Sequence, residues 1–244
     1  GIRDSLETLG LAFSMDKSRL PAIYEAFDRL ENLVQRLIAR RRDHPEEDNP
    51  DDLLHLLITT ADEGGVDERQ LADLIIFFFI AGYDTSKNVL THTMYLLLQH
   101  PDIYERCATD YEYCRKVLDE GLRYFNPGSV PRFTNEDLEF RDVIIPKDTM
   151  VWFNLNISGR DEGVFENPDK FDPDRKIEPS QRHVAFSLGK HMCLGQFIAR
   201  AQLQEGLHLI AQRMKNPKLV GDIGWRPYPG TWGLNGLPIE FTPT

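Results

Sequence analysis

From Asp67 to about His100 the sequence supports one long helix, and its middle, Leu74-Ile75-Ile76-Phe77-Phe78-Phe79-Ile80, is apolar on every face. A helix that is apolar all round is covered by its neighbours, so this segment is expected to run through a core built by other helices. Asp67 is its N-cap candidate, with Gln70 positioned to complete a capping box. The longest apolar stretch, Leu74 to Gly82, is far too short to cross a bilayer. Directly after it, Ala81-Gly82-Tyr83-Asp84-Thr85-Ser86 places small and polar residues where strong helix formers would be expected. Breaks of local preference concentrate where function demands them. One explanation is a kink in which Thr85 bonds back to a carbonyl while Asp84 takes a surface partner. The other is a pair of groups that donate and relay protons, since an acid and an alcohol stand side by side.

The rest of the chain reads as helices first and short strands later. Apolar residues Leu20, Ile23, Ala26, Phe27, Leu30, Leu33, Val34, Leu37 and Ile38 recur at helical spacing between Lys17 and Arg42, after a helical segment from Gly1 to Ala12. His44-Pro45 ends that helix, Glu46 to Asp51 is an acidic loop, and Pro50-Asp51-Asp52 opens a short helix through Thr60. Pro101 starts another, and Tyr111 to Phe125 a further one. Asn126 to Arg132 is then an extended, proline-held segment. Leu138–Phe140 and Val143–Ile145 form a hairpin pair, and Thr149 to Leu155 is a strand. Asn156 to Ser180 is a proline- and acid-rich meander, and short strands are expected at Lys218–Val220, Trp232–Leu234 and Ile239–Phe241. The fold class is therefore mainly α with small β-sheets (α+β). With 41% apolar and 27% charged residues the chain can bury a core. A formal charge of −11 argues against a nucleic-acid binder, and the single basic run, Arg40-Arg41-Arg42, reads as a solvated helix end.

The cysteines are Cys107, Cys114 and Cys193, an odd number without metal-ligand spacing. That favours a reducing, cytoplasmic compartment, with Cys107 and Cys114 as ordinary helix residues. Cys193 differs. It lies in Phe186-Ser187-Leu188-Gly189-Lys190-His191-Met192-Cys193-Leu194-Gly195, just before an amphipathic helix that runs to Arg213. The glycines allow a tight loop and close approach to something flat. The helix start favours a thiolate, and Phe186 is placed to cover the loop and keep water from the sulfur. A single cysteine is more often a small buried hydrophobe, but the whole pattern suits an anionic sulfur ligand for haem iron.

The pattern Phe-x-x-Gly-x-x-x-Cys-x-Gly resembles the cysteine-ligand loop of cytochromes P450, with Lys190 and Met192 where many bacterial members carry apolar or aromatic residues. The hexad from Ala81 to Ser86 resembles the long-helix motif of that family. Glu120-Gly121-Leu122-Arg123, by itself an ordinary surface ion pair, stands in the family's order, and Phe171-Asp172-Pro173-Asp174-Arg175 matches the later arginine segment. The resemblance runs from Asp67 to the end and is to the C-terminal portion of a single soluble, bacterial-type haem domain. The resemblance implies that residues 1–244 are that portion and that the N-terminal part of the domain is missing from the sequence.

The resemblance implies haem b bound through Cys193 as the metal ligand, with Phe186, Gly189 and Gly195 shaping the loop and Ala81 and Gly82 lying over the haem. It implies that Asp84 and Thr85 are the catalytic acid–alcohol pair. Arg132 and His191 would hold the propionates, although Arg132 alone also reads as a strand-edge charge. Phe78, Phe79, Ser129, Val130 and Leu234 would line the substrate pocket, with Trp232 near it. Glu120, Arg123 and Arg175 would form a structural network. The implied activity is a monooxygenase that inserts one atom of O2 into a small apolar substrate. Its electrons would come from a ferredoxin or other redox partner docking near Lys190 and Arg200, because no flavin or iron–sulfur motif is present. Neither nucleic acid nor membrane is an expected partner. The alternatives are a peroxygenase using hydrogen peroxide, a haem-thiolate sensor, and an all-helical interaction domain with no cofactor.

Overall fold

The long helix, α4, spans Glu68–Leu97. Its start is closed reciprocally: the Gln70 side chain accepts from the Asp67 N–H at 2.9 Å, and Asp67 accepts from the Gln70 N–H at 2.8 Å. The computed structural model describes residues 1–12, 16–44, 52–178, 181–226 and 231–244, so the acidic loop and the Pro50-Asp51 helix start lie outside the described residues. The chain divides into two units, Gly1–Asp84 and Thr85–Thr244, and α4 contributes to each.

In the first unit, α1 (Ile2–Gly10), α2 (Leu20–Asp43) and α3 (Leu53–Asp62) surround the start of α4. Leu6 and Leu9 of α1, Ile23, Ala26, Leu30, Val34 and Ile38 of α2, and Leu71, Ala72, Ile75 and Ile76 of α4 form its core. The helical spacing in α2 therefore marks the buried stripe, while Leu20 and Phe27 flank it exposed. The basic run is not a solvated end. Arg41 is buried and donates to both carboxylate oxygens of Asp52 at 2.8 and 2.7 Å, and Arg42 bridges Asp62 and Glu68. Asp52 thereby caps α3, accepting from the His55 N–H, and these bonds hold its carboxyl far below the usual carboxylate range.

The second unit packs α5 (Pro101–Cys107), α6 (Tyr111–Tyr124) and α8 (Gln196–Arg213) with the end of α4. Val117, Leu118 and Leu122 of α6 meet Leu203, Leu207 and Ala211 of α8, with Cys107 and Cys114 wholly buried among them. Three two-stranded antiparallel sheets complete the unit. They pair β1 (Ser129–Phe133) with β4 (Met150–Asn154), β2 (Leu138–Phe140) with β3 (Val143–Ile145), and β5 (Met214–Leu219) with β6 (Ile239–Pro243). Three expectations are corrected. Leu155–Ser158 is a short helix, α7, capped by the Asn154 side chain. β5 begins at Met214, directly off α8, rather than at Lys218. Trp232–Leu234 makes one bridge, Trp225↔Leu234, instead of a strand, because Trp232 is drawn into a stack on Trp225 with ring centroids 4.6 Å apart.

The meander is held by ion pairs rather than by apolar periodicity. The Arg123 guanidinium donates to Glu120 at 2.8 and 2.7 Å and to the carbonyls of Gly159, Pro168 and Lys170 at 2.6, 2.7 and 3.0 Å. Glu120 also accepts from the Asp172 N–H at 2.9 Å and from Arg175 at 3.3 Å. Arg175 in turn donates to the carbonyls of Glu166, Asn167 and Lys170. Gly159 is needed here, since a side chain would overlap the Arg123 carbonyl. Removing one member of a buried pair leaves the other charge unpaired. Glu120→Ala should therefore lose about 3–5 kcal/mol in equilibrium denaturant unfolding. A loss under about 1 kcal/mol, the range of an exposed pair, would contradict this account.

His92 and Asn88, one turn apart on α4, are fully buried, and the His92 ring lies within hydrogen-bonding reach of the Phe125 backbone. The rings of Phe125, Trp225 and Trp232 surround His92 at 5.3, 5.8 and 5.3 Å. Burial pulls the imidazole from 6.5 down to about 4. Because the folded-state value lies below the unfolded one, the unfolded chain takes the proton first, and stability falls as pH drops through 6.5 toward 4. Between pH 7.5 and pH 5 His92 should account for about 2 kcal/mol of lost stability. His92→Phe should abolish that component in unfolding titrations at the two pH values, and an equal loss in the variant would contradict it.

Candidate active site

The cysteine loop is shaped by its backbone. The Ser187 N–H donates to the Val184 carbonyl at 2.8 Å, and Ser187 and Gly189 take φ of 60° and 71°, a left-handed conformation that is costly for Ser187 and free for Gly189. One 3-10 turn, Gly189–His191, carries the chain around, and the Cys193 N–H closes the loop on the Phe186 carbonyl at 2.9 Å. Helix α8 then begins at Gln196 with Gly195 as its N-cap.

Cys193 is exposed. The Phe186 ring is half-buried against the helical core, and the Arg200 guanidinium lies over it at 4.9 Å. Phe186 supports the loop from beneath because its apolar neighbours are in the core. Around Cys193 the surface is apolar, with Leu188, Met192, Leu194, Phe197 and Ile198 all exposed, Leu194 by 78% and Phe197 by 77%. Exposure of that much contiguous apolar surface marks a binding face. A side chain added at Gly189 or Gly195 would meet nothing, so the loop is open on that side.

This donor set fits a porphyrin iron. Among the described residues no three His, Cys, Asp or Glu gather to hold a bare ion. One soft thiolate in an apolar frame suits iron held in a flat organic ring, which brings its other ligands with it. His191, in the loop, and Arg132, in β1, are exposed, and Arg132 donates to the Pro131 carbonyl. Ser129 and Val130 at the start of β1 are half-buried.

The middle of α4 is not buried on all sides. Phe77, Ala81 and Thr85, spaced by four, form an exposed stripe with Gly82, and Phe77 is 58% exposed. Tertiary neighbours cover the opposite face only. Phe79 packs on the first unit's core, whereas the half-buried Phe78 meets the Phe77 ring edge-on at 5.9 Å. The residue presented outward is thus Phe77, which the spacing to Ala81 and Thr85 could have identified. Asp84 is not at the surface. It is 1% exposed and lies against the backbone of Gly10, where any side chain would overlap its carboxylate. The consecutive acid and alcohol therefore point to different surroundings, Asp84 inward and Thr85 outward.

Leu234, expected in a substrate pocket, is buried at 5% exposure beside the Trp225–Trp232 stack and offers little surface to a ligand. Glu120, Arg123 and Arg175 come together as described above. Arg200, expected as a free docking charge beside Lys190, is instead ion-paired with Asp119; Lys190 is exposed. Asp119, His183 and Asn126 were not singled out by sequence, because a lone carboxylate, imidazole or amide carries no spacing signal.

A family model described as Cytochrome P450 matches residues 8–216. The chain is 33% identical over 242 residues to luteothin monooxygenase of Streptomyces thioluteus, covering 98% of this chain and 58% of that protein. It is 31% identical over 208 residues to a biotin biosynthesis cytochrome P450 of Bacillus subtilis, covering 84% and 51% respectively. Among solved structures it resembles P450BioI, crystallised with an acyl carrier protein ligated by hexadec-9Z-enoic acid, with TM-score 0.84 and 26% identity over 99% of this chain and 61% of that one. The chain spans just over half the length of these relatives. It belongs to the cytochrome P450 family.

Proposed function

We propose that the protein is a haem-thiolate monooxygenase acting on small apolar organic substrates with O2 and a separate electron donor. The observation that carries this reading is the exposed Cys193 thiol, held by a closed loop at the centre of an exposed apolar face. Haem b, when bound, supplies the redox chemistry that reduces and splits dioxygen.

The chain's own residues bind, orient and move protons. Cys193 would hold the haem iron through its sulfur, and the Phe186 carbonyl fixes its backbone by accepting from its N–H. Exposed Arg132 and His191 neutralise the propionates, Arg132 through its planar fork. Ser129 and Val130, half-buried at the start of β1, offer contact to the substrate, and Ala81 and Gly82 keep the exposed side of α4 small beside Phe77. The Thr85 hydroxyl, on the exposed side of α4, would act as the hydrogen-bond donor, and buried Asp84, one residue before it, would be the acid that supplies the proton. Electrons come from a ferredoxin or similar redox protein, with Lys190 the exposed cation of the cysteine face. Three free cysteines suit a reducing cytoplasm, and no described helix is long and apolar enough to cross a membrane.

Thr85→Ala should leave O2 consumption running while the product formed per O2 falls by about tenfold or more and hydrogen peroxide accumulates in its place, as expected for loss of a proton donor. Product per O2 equal to the parent protein would contradict the role of Thr85. Peroxide-driven turnover at the full rate, indifferent to the electron donor, would favour a peroxygenase.

A further inference from the structure

Asp119 stands on α6 immediately before Glu120, and two basic side chains from opposite ends of the cysteine loop converge on its carboxylate. Arg200, from the first turns of α8, is ion-paired with it. His183 Nε2, from the segment entering the loop, lies 3.6 Å from the same oxygen. Burial raises the Asp119 carboxyl, yet His183 and Arg200 outweigh it and hold the group below its ordinary value.

Both partners are tied onward. His183 Nδ1 accepts from the Ala185 N–H at 3.2 Å. The Ala185 carbonyl accepts from buried Asn126, just past the end of α6, at 3.3 Å. The Arg200 guanidinium covers the Phe186 ring, and the Phe186 carbonyl holds the Cys193 N–H. An unbroken path of contacts thus runs from one carboxylate to the backbone of the cysteine. An ordinary pair on the same helix, Lys116–Asp174, has both side chains more than half exposed and reaches nothing further in the loop.

We propose that Asp119 is a positioning residue that clamps both flanks of the Cys193 loop and so sets the direction of the sulfur. This rests on the haem-thiolate reading above. The carboxylate acts on two strands of chain at once: losing it frees the entering segment at His183 and the leaving helix at Arg200 together. Asn126 and the Phe186–Cys193 bond then hold the loop alone.

The test is hydrogen exchange by mass spectrometry on the parent protein, Asp119→Asn, Asp119→Glu, Arg200→Gln, the Asp119→Asn/Arg200→Gln pair and the control Lys116→Met. Each is also examined by the spectrum of its reduced, carbon-monoxide-bound form. Asp119→Asn should speed exchange of the Ser187 and Cys193 amides about tenfold, leave the Leu207 region of α8 unchanged, and reduce the share of haem showing thiolate ligation. Arg200→Gln should do the same, and the double variant should add little to either single change, as partners in one interaction require. Asp119→Glu should recover most of both signals, and Lys116→Met should change neither. Loop exchange and spectrum unchanged in both Asp119→Asn and Arg200→Gln would overturn the proposal, as would acceleration spread equally through α6 and α8. Failure of the haem-thiolate reading looks different: the parent protein would lack the thiolate spectrum while the exchange pattern still decides whether Asp119 clamps the loop.

Discussion

The buried pair of Glu120 and Arg123 is the interaction on which the second unit depends. Both side chains are withdrawn from water, 2% and 0% exposed, so neither charge is tolerable without full compensation. The compensation comes from three carbonyls, one amide and Arg175, all belonging to the irregular chain between α7 and the cysteine loop. That chain has no apolar periodicity to fold it. Its position follows from the obligation to satisfy one guanidinium and one carboxylate. Helix α6 therefore organises what lies after it, with Glu120 and Arg123 gripping the meander and Asp119 reaching the loop that bears Cys193.

The same logic separates what could be read from the sequence from what could not. The β2–β3 hairpin, the Asp67–Gln70 capping box and the turn of the cysteine loop are local, and local chemistry writes them plainly. Glu120, Arg123 and Arg175 were recognisable only through their order along a familiar chain, since a glutamate three residues before an arginine is by itself uninformative. The outward side of α4 was hidden for the opposite reason. Leu74 to Ile80 is apolar all round, so that run alone does not say which side the core takes; only the four-residue spacing of Phe77 to Ala81 and Thr85 marks the exposed side, and the first unit's core covers the other. The role of Asp119 and the stacking of Trp232 escaped because their partners, His183, Arg200 and Trp225, come from elements whose meeting no periodicity foretells.

The cysteine loop and α4 show two ways of keeping a reactive group presentable. Cys193 is exposed on a backbone closed by its N–H bond to the Phe186 carbonyl and turned by a left-handed Gly189. On α4, successive residues are sent to different environments by the 100° turn between them, which buries an acid against Gly10 and leaves an alcohol outside. A shielded carboxyl one residue before an exposed hydroxyl is the arrangement that the proposed proton delivery would use.

The central claim is that Cys193 is an axial thiolate for haem iron. The absorption spectrum of the reduced, carbon-monoxide-bound protein tests it most directly, measured beside Cys193→Ser. A strongly red-shifted Soret band in the parent that disappears in the variant is the predicted result. A band of the same position in both proteins, or none in either after haem is supplied, would contradict it.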